Sequence, residues 1–474
     1  MTGFVFFDTE TTGLRMGFDQ IVHFAAIRTD HELNEVDRFE VRSRLQAHVV
    51  PHPKAVRTNG LPIASLVDAD LPSHYAMMCA IARRISDWSP AIFVGYNSMR
   101  FDEEMLRHGL FQSLHDPYLT SRPGNGRADA LSLALAAFAL APDSLSTMEG
   151  PEGRRSFKLA DMAISNGLAH AGAHDALADA SVTLELCRLV RARADEVWQR
   201  FQRFSNKSAV SQFVETEDGF VLSEFFGGGL AVHRPVASIG GPPGNANGRL
   251  CLDLSVDPER WKSMSDEELA AEICRKGTPV RRLAVNGCPA LTELWAAPAE
   301  LMAGLDADVA EERARRLKAD TDLCARIVSV YTGSWNARDP SPFPELRLYD
   351  GGFPCDADRQ RRQAFHEASP QERLEIAKSF EDPRLAVFGR RLVHAEHRGS
   401  LPEAERFRED LDLANRLLDA RAGPLTLPEA ISELDELVAN GEHGSSALLD
   451  DYRRWLVAKV GRVERFRTAH GDGA

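Results

Sequence analysis

The sequence predicts an α/β fold at its N-terminus, followed by a smaller β-rich part and a helical C-terminal part. Short apolar runs at 4–7 and 91–94 have the length of buried strands, and the segment 73–88 has helical apolar spacing. After about residue 195, strand-like segments alternate with Gly- and Pro-rich loops, and from Cys355 onward the chain is charged with leucine-rich helical periodicity. We therefore predict three domains, at 1–194, 195–350 and 351–474.

The elements follow from local pattern. In the first domain we predict strands at 4–7, 20–27, 38–43 and 91–94, and helices at 73–88, 101–111, 128–141, 156–163 and 176–194. In the second domain we predict strands at 213–214, 220–222, 230–232, 250–254 and 280–284, and then a helix at 308–330. Alternating strands and helices in the first domain indicate a sheet covered by helices.

Composition narrows the class of protein. The 474 residues, 43% of them hydrophobic, provide ample core, and no run approaches the roughly 20 apolar residues of a membrane span. The first strand begins almost at once, so we expect no signal peptide. Seven scattered cysteines without a C-x-x-C pair indicate reduced thiols in a cytoplasm and argue against a disulfide scaffold or a zinc site. The net charge of −14 excludes only a general polycationic nucleic-acid binder, because a nuclease needs no more than a local basic groove.

Two acidic residues follow the first predicted strand. Asp8 and Glu10 are two apart, so on a strand their side chains point to the same face. Two adjacent carboxylates repel each other unless they share a proton or a cation, and hard oxygen ligands suit Mg²⁺ or Mn²⁺. An isolated pair of this kind is usually a solvated acidic turn, so further residues are needed to distinguish such a turn from a cation site.

Further candidates lie at two predicted helix starts. Asp102 follows the 91–94 strand and could be a simple N-cap, and His174 precedes Asp179 by five residues and could be an ordinary surface histidine. Asp175 is predicted to be the N-cap of the helix that carries Asp179.

Together these residues supply what a two-metal phosphodiester hydrolase needs. Two divalent ions roughly 4 Å apart would hold the attacking and leaving oxygens. Asp8 would bridge both ions, and Glu10, Asp179 and Asp102 would complete the shells, Asp102 directly or through water. His174, neutral near pH 7, would take the proton of the attacking water.

These motifs resemble the His-containing (DEDDh) branch of the DEDD exonuclease superfamily and, within it, the exonuclease I family. The resemblance rests on the stretches 8–13, 24–30, 95–104, 156–159, 166–167 and 174–179, with weaker similarity at 286–289 and 349–353. It implies a ribonuclease-H-like exonuclease domain with a mixed five-stranded sheet, then a small Src-homology-3-like barrel and a C-terminal helical domain. In this family the three parts form a groove for single-stranded DNA.

The resemblance also implies substrate contacts. Lys158 is similar to a basic position that contacts the terminal nucleotide, where the family often has arginine. Arg107 and Tyr118 resemble positions that contact the single strand. Thr11, Thr12 and Gly13 would bring backbone close to the 3′-terminal sugar, with Gly13 permitting the turn.

The expected activity is therefore Mg²⁺-dependent 3′→5′ hydrolysis of single-stranded DNA, with two ions that Mn²⁺ can replace, in DNA repair. One alternative is another DEDDh nuclease, either an exoribonuclease or a proofreading nuclease, although those resemble the first domain alone. A second alternative is a non-catalytic DNA-binding scaffold, against which the intact acidic set argues. The resemblance implies docking of the acidic tail of single-stranded-DNA-binding protein. We expect a cytoplasmic monomer without membrane association.

Overall fold

The chain begins in a mixed five-stranded sheet, which confirms the predicted α/β class. A computed structural model describes residues 2–150, 154–169, 175–226, 230–333, 335, 339–419, 423–441 and 446–470. The sheet strands are β1 (Gly3–Thr11), β2 (Ile21–Thr29), β3 (Glu35–Arg42), β4 (Ala91–Gly95) and β5 (Gly126–Asp129). They lie in the order β3-β2-β1-β4-β5, with β1, β2 and β3 antiparallel and β4 parallel to both β1 and β5.

Helices cover both faces of this sheet. They are α1 (Pro53–Asn59), α2 (Ile63–Leu66), α3 (His74–Trp88), α4 (Asp102–Gln112), α5 (Ala130–Leu140), α6 (Leu159–Ser165) and α7 (Ala176–Arg193), and a short hairpin of β6 (Met148–Glu149) and β7 (Arg155–Ser156) precedes α6. Because side chains alternate along a strand, Phe4 and Phe6 of β1 enter the core beneath α5 and α7, whereas Val5 and Phe7 enter the core beneath α3 and α4. The end of β1 therefore lies between α7 and α4.

The middle of the chain forms a second, antiparallel sheet. Two helices, α8 (Asp195–Phe204) and α9 (Lys207–Thr216), lead into it. Its strands are β8 (Phe220–Phe226), β9 (Leu230–Gly240), β10 (Gly248–Asp253), β11 (Val280–Ala284) and β12 (Ala290–Glu293), in the order β11-β10-β9-β8-β12. Three helices pack beside this sheet, namely α10 (Asp266–Ile273), α11 (Ala307–Ala319) and α12 (Thr321–Gly333).

The C-terminal part is helical, as predicted. It comprises α13 (Asp356–Glu367), α14 (Pro370–Ser379), α15 (Pro383–His397), α16 (Glu403–Leu418), α17 (Leu427–Ala439) and α18 (Ser446–His470). Two cores join it to the first sheet domain: α13–α15 pack around Tyr75 and Phe111, and α17 and α18 pack around Val22 and Val56. Among the helices of the described residues, none has the length and apolar character to cross a membrane.

Several predicted elements were wrong in type or extent. Residues 213–214 belong to α9, because Val210, Phe213 and Val214 have helical spacing and Asn206 caps the helix by accepting from the Ser208 and Ala209 amides. A two-residue apolar pair does not distinguish a strand from a helix. The predicted helix at 308–330 is two helices, separated at Asp320, whose carboxylate accepts from the Leu323 amide.

Two boundaries in the first domain also moved. Residues 126–129 form β5, so the helix predicted from residue 128 begins at Ala130 instead. The Gly, Arg and Asp residues of β5 hide its strand character, and Asp129 at its end caps α5 by accepting from the Leu131 amide. The helix predicted from residue 156 begins at Leu159, because Ser156 pairs with Met148 in the β6–β7 hairpin.

Candidate active site

The end of β1 carries the first two acidic residues of the site. Asp8 and Glu10 continue the face of β1 that holds Phe4 and Phe6, so they point toward α7. The antiparallel register with β2 continues to Glu10 and shifts between Glu10 and Thr11, which ends the regular strand at the acidic pair.

Helix α7 brings a third carboxylate to this pair. The Asp175 side chain accepts from the Leu177 and Ala178 amides at 3.2 Å each, which confirms it as the N-cap, and Asp179 lies one turn further on. The carboxylate oxygens of Asp8, Glu10 and Asp179 lie within 4.8 Å of one another. Two elements distant in sequence thus converge at one point.

Asp102 approaches from the opposite side of the sheet. It is the first residue of α4 and is buried, and its Oδ1 accepts from the Thr9 hydroxyl at 2.6 Å. Thr9 points away from Asp8 and Glu10 along β1, so this hydrogen bond fixes the start of α4 against the strand that carries them.

Asp8 and Glu10 are repelled by the neighbouring carboxylates of the site. Burial, followed by the charges of Asp179 and Asp102, raises the pKa of Glu10 to about 8. Burial raises the pKa of Asp102 to about 7, and burial with the neighbouring charges of Asp102, Asp179 and Glu10 raises the pKa of Asp8 well above its usual range. Buried, hard and mutually repelling oxygen donors fit divalent cations, which would relieve the repulsion.

A row of side chains beside Glu10 was not predicted. The strand register places Glu10 next to His23 and His23 next to Arg42, across β1, β2 and β3. Arg42 Nη2 lies 2.8 Å from Asp175 Oδ2, and Arg42 lowers the pKa of Glu10 against the other effects. This ion pair ties the N-terminus of α7 to the sheet. Cross-strand pairing was the signal that would have identified it.

His174 lies outside the described residues, so its predicted role as general base stays a prediction. Lys158 is exposed and directly precedes α6, and the carbonyl of its neighbour Phe157 accepts from the Tyr96 hydroxyl beside the end of β4. Its predicted contact with the terminal nucleotide is compatible with this exposure and also stays a prediction.

Residues 11–13 were predicted to contact the substrate, but the hydroxyls of Thr11 and Thr12 form hydrogen bonds within the protein. The Thr11 hydroxyl donates to the Gly13 carbonyl at 2.8 Å, and the Thr12 hydroxyl donates to Asp19 at 2.9 Å. A Cβ on Gly13 would lie 2.5 Å from the Asp19 carboxylate, so close approach, and not an unusual backbone turn, requires glycine here. The predicted approach of this backbone to the 3′-terminal sugar stays a prediction.

Arg107 and Tyr118 lie on the wall of a groove, but Arg107 is buried. Its guanidinium pairs with Glu103 and Glu104 and donates to the Tyr349 hydroxyl at 3.1 Å, and it lies 5.4 Å from the centre of the Tyr118 ring. These contacts join α4 to the segment before α13. The structure thus gives Arg107 an internal role that the sequence analysis did not predict.

This groove, which we call the inter-domain groove, has a volume of about 820 Å³ and is lined by all three parts of the chain. Its walls include six basic side chains and two acidic ones, which reverses the negative charge of the whole chain locally. Its lining includes Glu104, Arg107, Tyr118, Arg122, Arg127, Lys207, Asn247, Asn286, Tyr349, Phe353, Arg359 and Arg362.

Known proteins match this chain along most of its length. Family models described as Exonuclease, Exonuclease I SH3-like domain and Exonuclease I C-terminal domain match residues 5–187, 205–333 and 343–458. The chain belongs to the exonuclease I family. This confirms the predicted resemblance and the exonuclease, SH3-like and helical parts.

Individual relatives of the exonuclease I family agree with this assignment. Exodeoxyribonuclease I of Escherichia coli K12 is 27% identical over 399 residues, which cover 81% of this chain and 83% of the relative. The solved structure of exonuclease I from Methylocaldum szegediense has a TM-score of 0.83 at 26% identity and covers 97% of this chain and 100% of that one. The Escherichia coli enzyme in complex with a dA16 oligonucleotide has a TM-score of 0.83 at 25% identity, with the same coverage.

Proposed function

We propose that this protein is a 3′→5′ exodeoxyribonuclease that hydrolyses single-stranded DNA to 5′-mononucleotides with Mg²⁺, in DNA repair and recombination. The observation that carries the proposal is the convergence of Asp8, Glu10 and Asp179 at the end of β1, with Asp102 beside them. The family assignment supplies the reaction class, and the exodeoxyribonuclease I relatives supply the substrate class.

Each carboxylate is proposed to act as a metal ligand. Asp8 is proposed to be shared by two ions, and the charges of Asp102, Asp179 and Glu10, which all raise its pKa, place it near the other three carboxylates. Two Mg²⁺ ions, or Mn²⁺ in their place, would stabilise negative charge in the transition state and acidify the attacking water. Zinc accompanies one solved relative, so the choice of Mg²⁺ is part of the proposal.

The protein groups around the carboxylates hold and orient them. Thr9 fixes Asp102, and Arg42 with Asp175 fixes the helix that carries Asp179. His174, one residue before this helix cap, is proposed to take the proton of the attacking water. Lys158 is proposed to hold the phosphate of the terminal nucleotide through its point charge.

The inter-domain groove is proposed to hold the strand that follows the 3′ end. Helix α4 begins at Asp102 and reaches the groove at Glu104 and Arg107, which a helical rise places roughly 3 and 8 Å along its axis. The cations of the groove suit a phosphate backbone, and the exposed ring of Phe353, 5.7 Å from Tyr118, suits base stacking.

The partner and compartment follow from this function. We propose that the acidic tail of single-stranded-DNA-binding protein docks on a basic patch of the surface, that the enzyme works as a monomer, and that it acts in the cytoplasm, where its DNA substrate lies.

A substrate comparison tests the proposal. Oligonucleotides of one sequence, labelled at the 5′ end, are offered as single-stranded DNA, duplex DNA and single-stranded RNA with Mg²⁺. We expect a ladder that shortens from the 3′ end of the single-stranded DNA alone. Faster shortening of RNA would instead support the exoribonuclease alternative, and binding without shortening of any substrate would support the scaffold.

A further inference from the structure

Glu103 is a buried carboxylate that follows Asp102 in α4 and lies behind the lining of the inter-domain groove. It is 3% exposed, and three side chains meet at one of its atoms, Oε1. The Thr120 hydroxyl donates to this oxygen at 2.7 Å, and Arg127 Nη1 and Arg107 Nη2 lie 2.7 and 3.3 Å from it. Two buried arginines thus share one oxygen of one carboxylate.

The two arginines connect this oxygen to the other two parts of the chain. Arg127 belongs to β5, and its Nη2 donates to the Asn286 carbonyl at 2.8 Å, in the connection between β11 and β12. Arg107 Nη1 donates to the Tyr349 hydroxyl at 3.1 Å, in the segment before α13. Both arginines and both of these partners line the inter-domain groove. Glu103 therefore joins the two walls of the groove that come from outside the nuclease domain.

The charges of this network compensate one another. Arg107 and Arg127 bring two positive charges, and Glu103 and Glu104 bring two negative ones. Arg107 Nη1 lies 3.0 Å from Glu104 Oε1, and the Tyr349 hydroxyl donates to Glu104 Oε2 at 2.6 Å. Buried networks of hydrogen-bonded charges make the parts that they join rigid. The network is therefore suited to transmitting a change of position from the groove walls to α4.

The first turn of α4 also carries one carboxylate of the proposed active site. Asp102 directly precedes Glu103, and successive side chains of a helix point roughly 100° apart. Asp102 accordingly accepts from Thr9 on β1, whereas Glu103 faces the two arginines. The start of α4 is thus held at the sheet by one residue and at the groove by the next. A displacement of Glu103 moves Asp102 with it, because the two share one helical turn.

We propose that Glu103 is a positioning residue, through which single-stranded DNA in the inter-domain groove sets the position of Asp102. The inference rests on the proposed function and assigns a role within it to a residue that touches neither metal nor DNA. A strand that contacts both walls holds Asn286 and Tyr349 in place, and the two arginines pass this constraint to Glu103. Binding energy from parts of the substrate remote from the reacting bond is thereby used for orientation at that bond.

Two substrates that differ in their use of the groove test the proposal. One is a 5′-labelled single strand of about 16 thymidine nucleotides, which fills the groove. The other is the p-nitrophenyl ester of thymidine 5′-monophosphate, a phosphodiester with one nucleoside and no strand. Both rates are measured with Mg²⁺ at saturation, so that they do not report affinity. Glu103→Gln should slow shortening of the strand at least about tenfold, since small displacements at a reacting centre cost this much. It should leave the rate on the ester unchanged.

Two further variants are the controls for this comparison. Asp102→Asn changes the active-site carboxylate itself and should slow both substrates, which shows that the ester reports on the same site. Asp253→Asn is the matched control for the loss of a paired carboxylate, because Asp253 lies on β10, pairs with Arg234 within the second sheet and does not line the groove. It should leave both rates unchanged.

Equal slowing of both substrates in Glu103→Gln would indicate a general structural role and overturn the inference, as would an unchanged rate on the strand. If the unmodified protein hydrolyses neither substrate, the proposed function is wrong and the inference falls with it. If circular dichroism shows that Glu103→Gln does not fold, Thr120→Val decides the question, because it removes one hydrogen bond to the same oxygen and no charge. It should slow the strand and not the ester, and an unchanged rate on the strand would again overturn the inference.

Discussion

At the scale of single residues, the site is a cluster of carboxylates whose negative charges are unfavourable together unless a proton or a cation compensates them. Burial and the charges of Asp179 and Asp102 raise the pKa of Glu10 to about 8, and burial raises the pKa of Asp102 to about 7. The free energy stored in this repulsion makes the cluster sensitive both to pH and to metal.

The metal-free protein should therefore lose stability as the pH rises from about 5 to 8. The unfolded chain releases the Glu10 proton near pH 4.5, whereas the folded chain holds it to about pH 8. A raised folded-state pKa contributes stability that is fully present below the unfolded pKa and is lost as the pH rises through the folded one. Mg²⁺ should accordingly raise the melting temperature more at pH 8 than at pH 6, as thermal unfolding with and without metal would measure.

Glu10→Gln is the control for this experiment, because its side chain does not titrate. Its metal-free melting temperature should fall less over the same pH range. A metal-induced shift that is larger at pH 6 than at pH 8 would show that the carboxylates do not bind the cation in their deprotonated form.

His174 gives a second prediction at this scale. If it takes the proton of the attacking water, His174→Ala should lower kcat by about 10²–10⁴-fold with little change in the affinity for single-stranded DNA. Steady-state rates and fluorescence anisotropy measure the two quantities separately. Wild-type kcat in this variant across the neutral pH range would remove the general-base assignment.

At the scale of elements, three starts and ends of regular structure meet: the end of β1, the N-terminus of α4 and the N-terminus of α7. Each is held by a local device, namely the strand irregularity after Glu10, the Thr9–Asp102 hydrogen bond and the Arg42–Asp175 ion pair. The catalytic geometry is thus a property of how helices join the sheet.

Arg42→Gln should impair catalysis more than stability. The ion pair is half-exposed, so its loss should cost less than about 1 kcal/mol of unfolding free energy. Misplacement of α7 should lower kcat about tenfold or more. Loss of the positive charge of Arg42 should also raise the pKa of Glu10. The acid limb of the pH–rate profile should therefore move to higher pH.

Arg38→Gln is the matched control, since Arg38 lies on the same strand and pairs with Glu35 away from Asp175. It should leave both kcat and the pH profile unchanged. Equal effects of the two substitutions would indicate a general effect of strand β3, and the positioning role of Arg42 would be wrong.

The local sequence pattern was enough to predict the acidic residues of the site, whereas the groups that hold them in place depend on tertiary contacts. Asp8, Glu10 and the Asp175–Asp179 turn were identifiable because strand and helix periods fix neighbouring side chains. The Arg42–Asp175 pair and the burial of Arg107 depend on strand pairing and on docking of the segment at Tyr349, which one sequence does not reveal. Residues 213–214 were mistaken for a strand because their helical partner, Val210, lies outside the short apolar pair.

At the scale of the whole molecule, the C-terminal part closes one side of the groove and is anchored to the nuclease domain through buried polar groups. Glu345 is fully buried between Arg391 and Arg416, and its carbonyl accepts from His108 Nδ1 at 2.9 Å. Arg107 adds the contact with Tyr349. These contacts hold the nuclease domain and the C-terminal part together beside the inter-domain groove.

Substitutions in the groove should weaken DNA binding and leave the chemistry intact. Phe353→Ala should cost about 1–3 kcal/mol of binding free energy if the ring stacks on a base. Arg359→Ala should weaken binding, and the slope of log Kd against log salt concentration should fall by about one, as expected for the loss of one phosphate contact. Both effects would appear in Kd, measured by anisotropy over a salt series, with kcat at saturation unchanged.

Arg83→Ala, an exposed arginine of α3 outside the groove, is the control and should change neither quantity. Unchanged affinity in both groove variants would place the strand elsewhere on the molecule.

The most direct test of the central claim separates binding from hydrolysis at the carboxylate cluster. Asp179→Asn removes one charge from the cluster while the groove stays intact, so it should bind a 5′-labelled single strand at least as tightly as the unmodified protein. In Mg²⁺ its 3′-end shortening should slow by about 10²–10³-fold or more, since charge stabilisation dominates such reactions. Shortening at the rate of the unmodified protein would contradict the claim that the carboxylate cluster is the site of DNA hydrolysis.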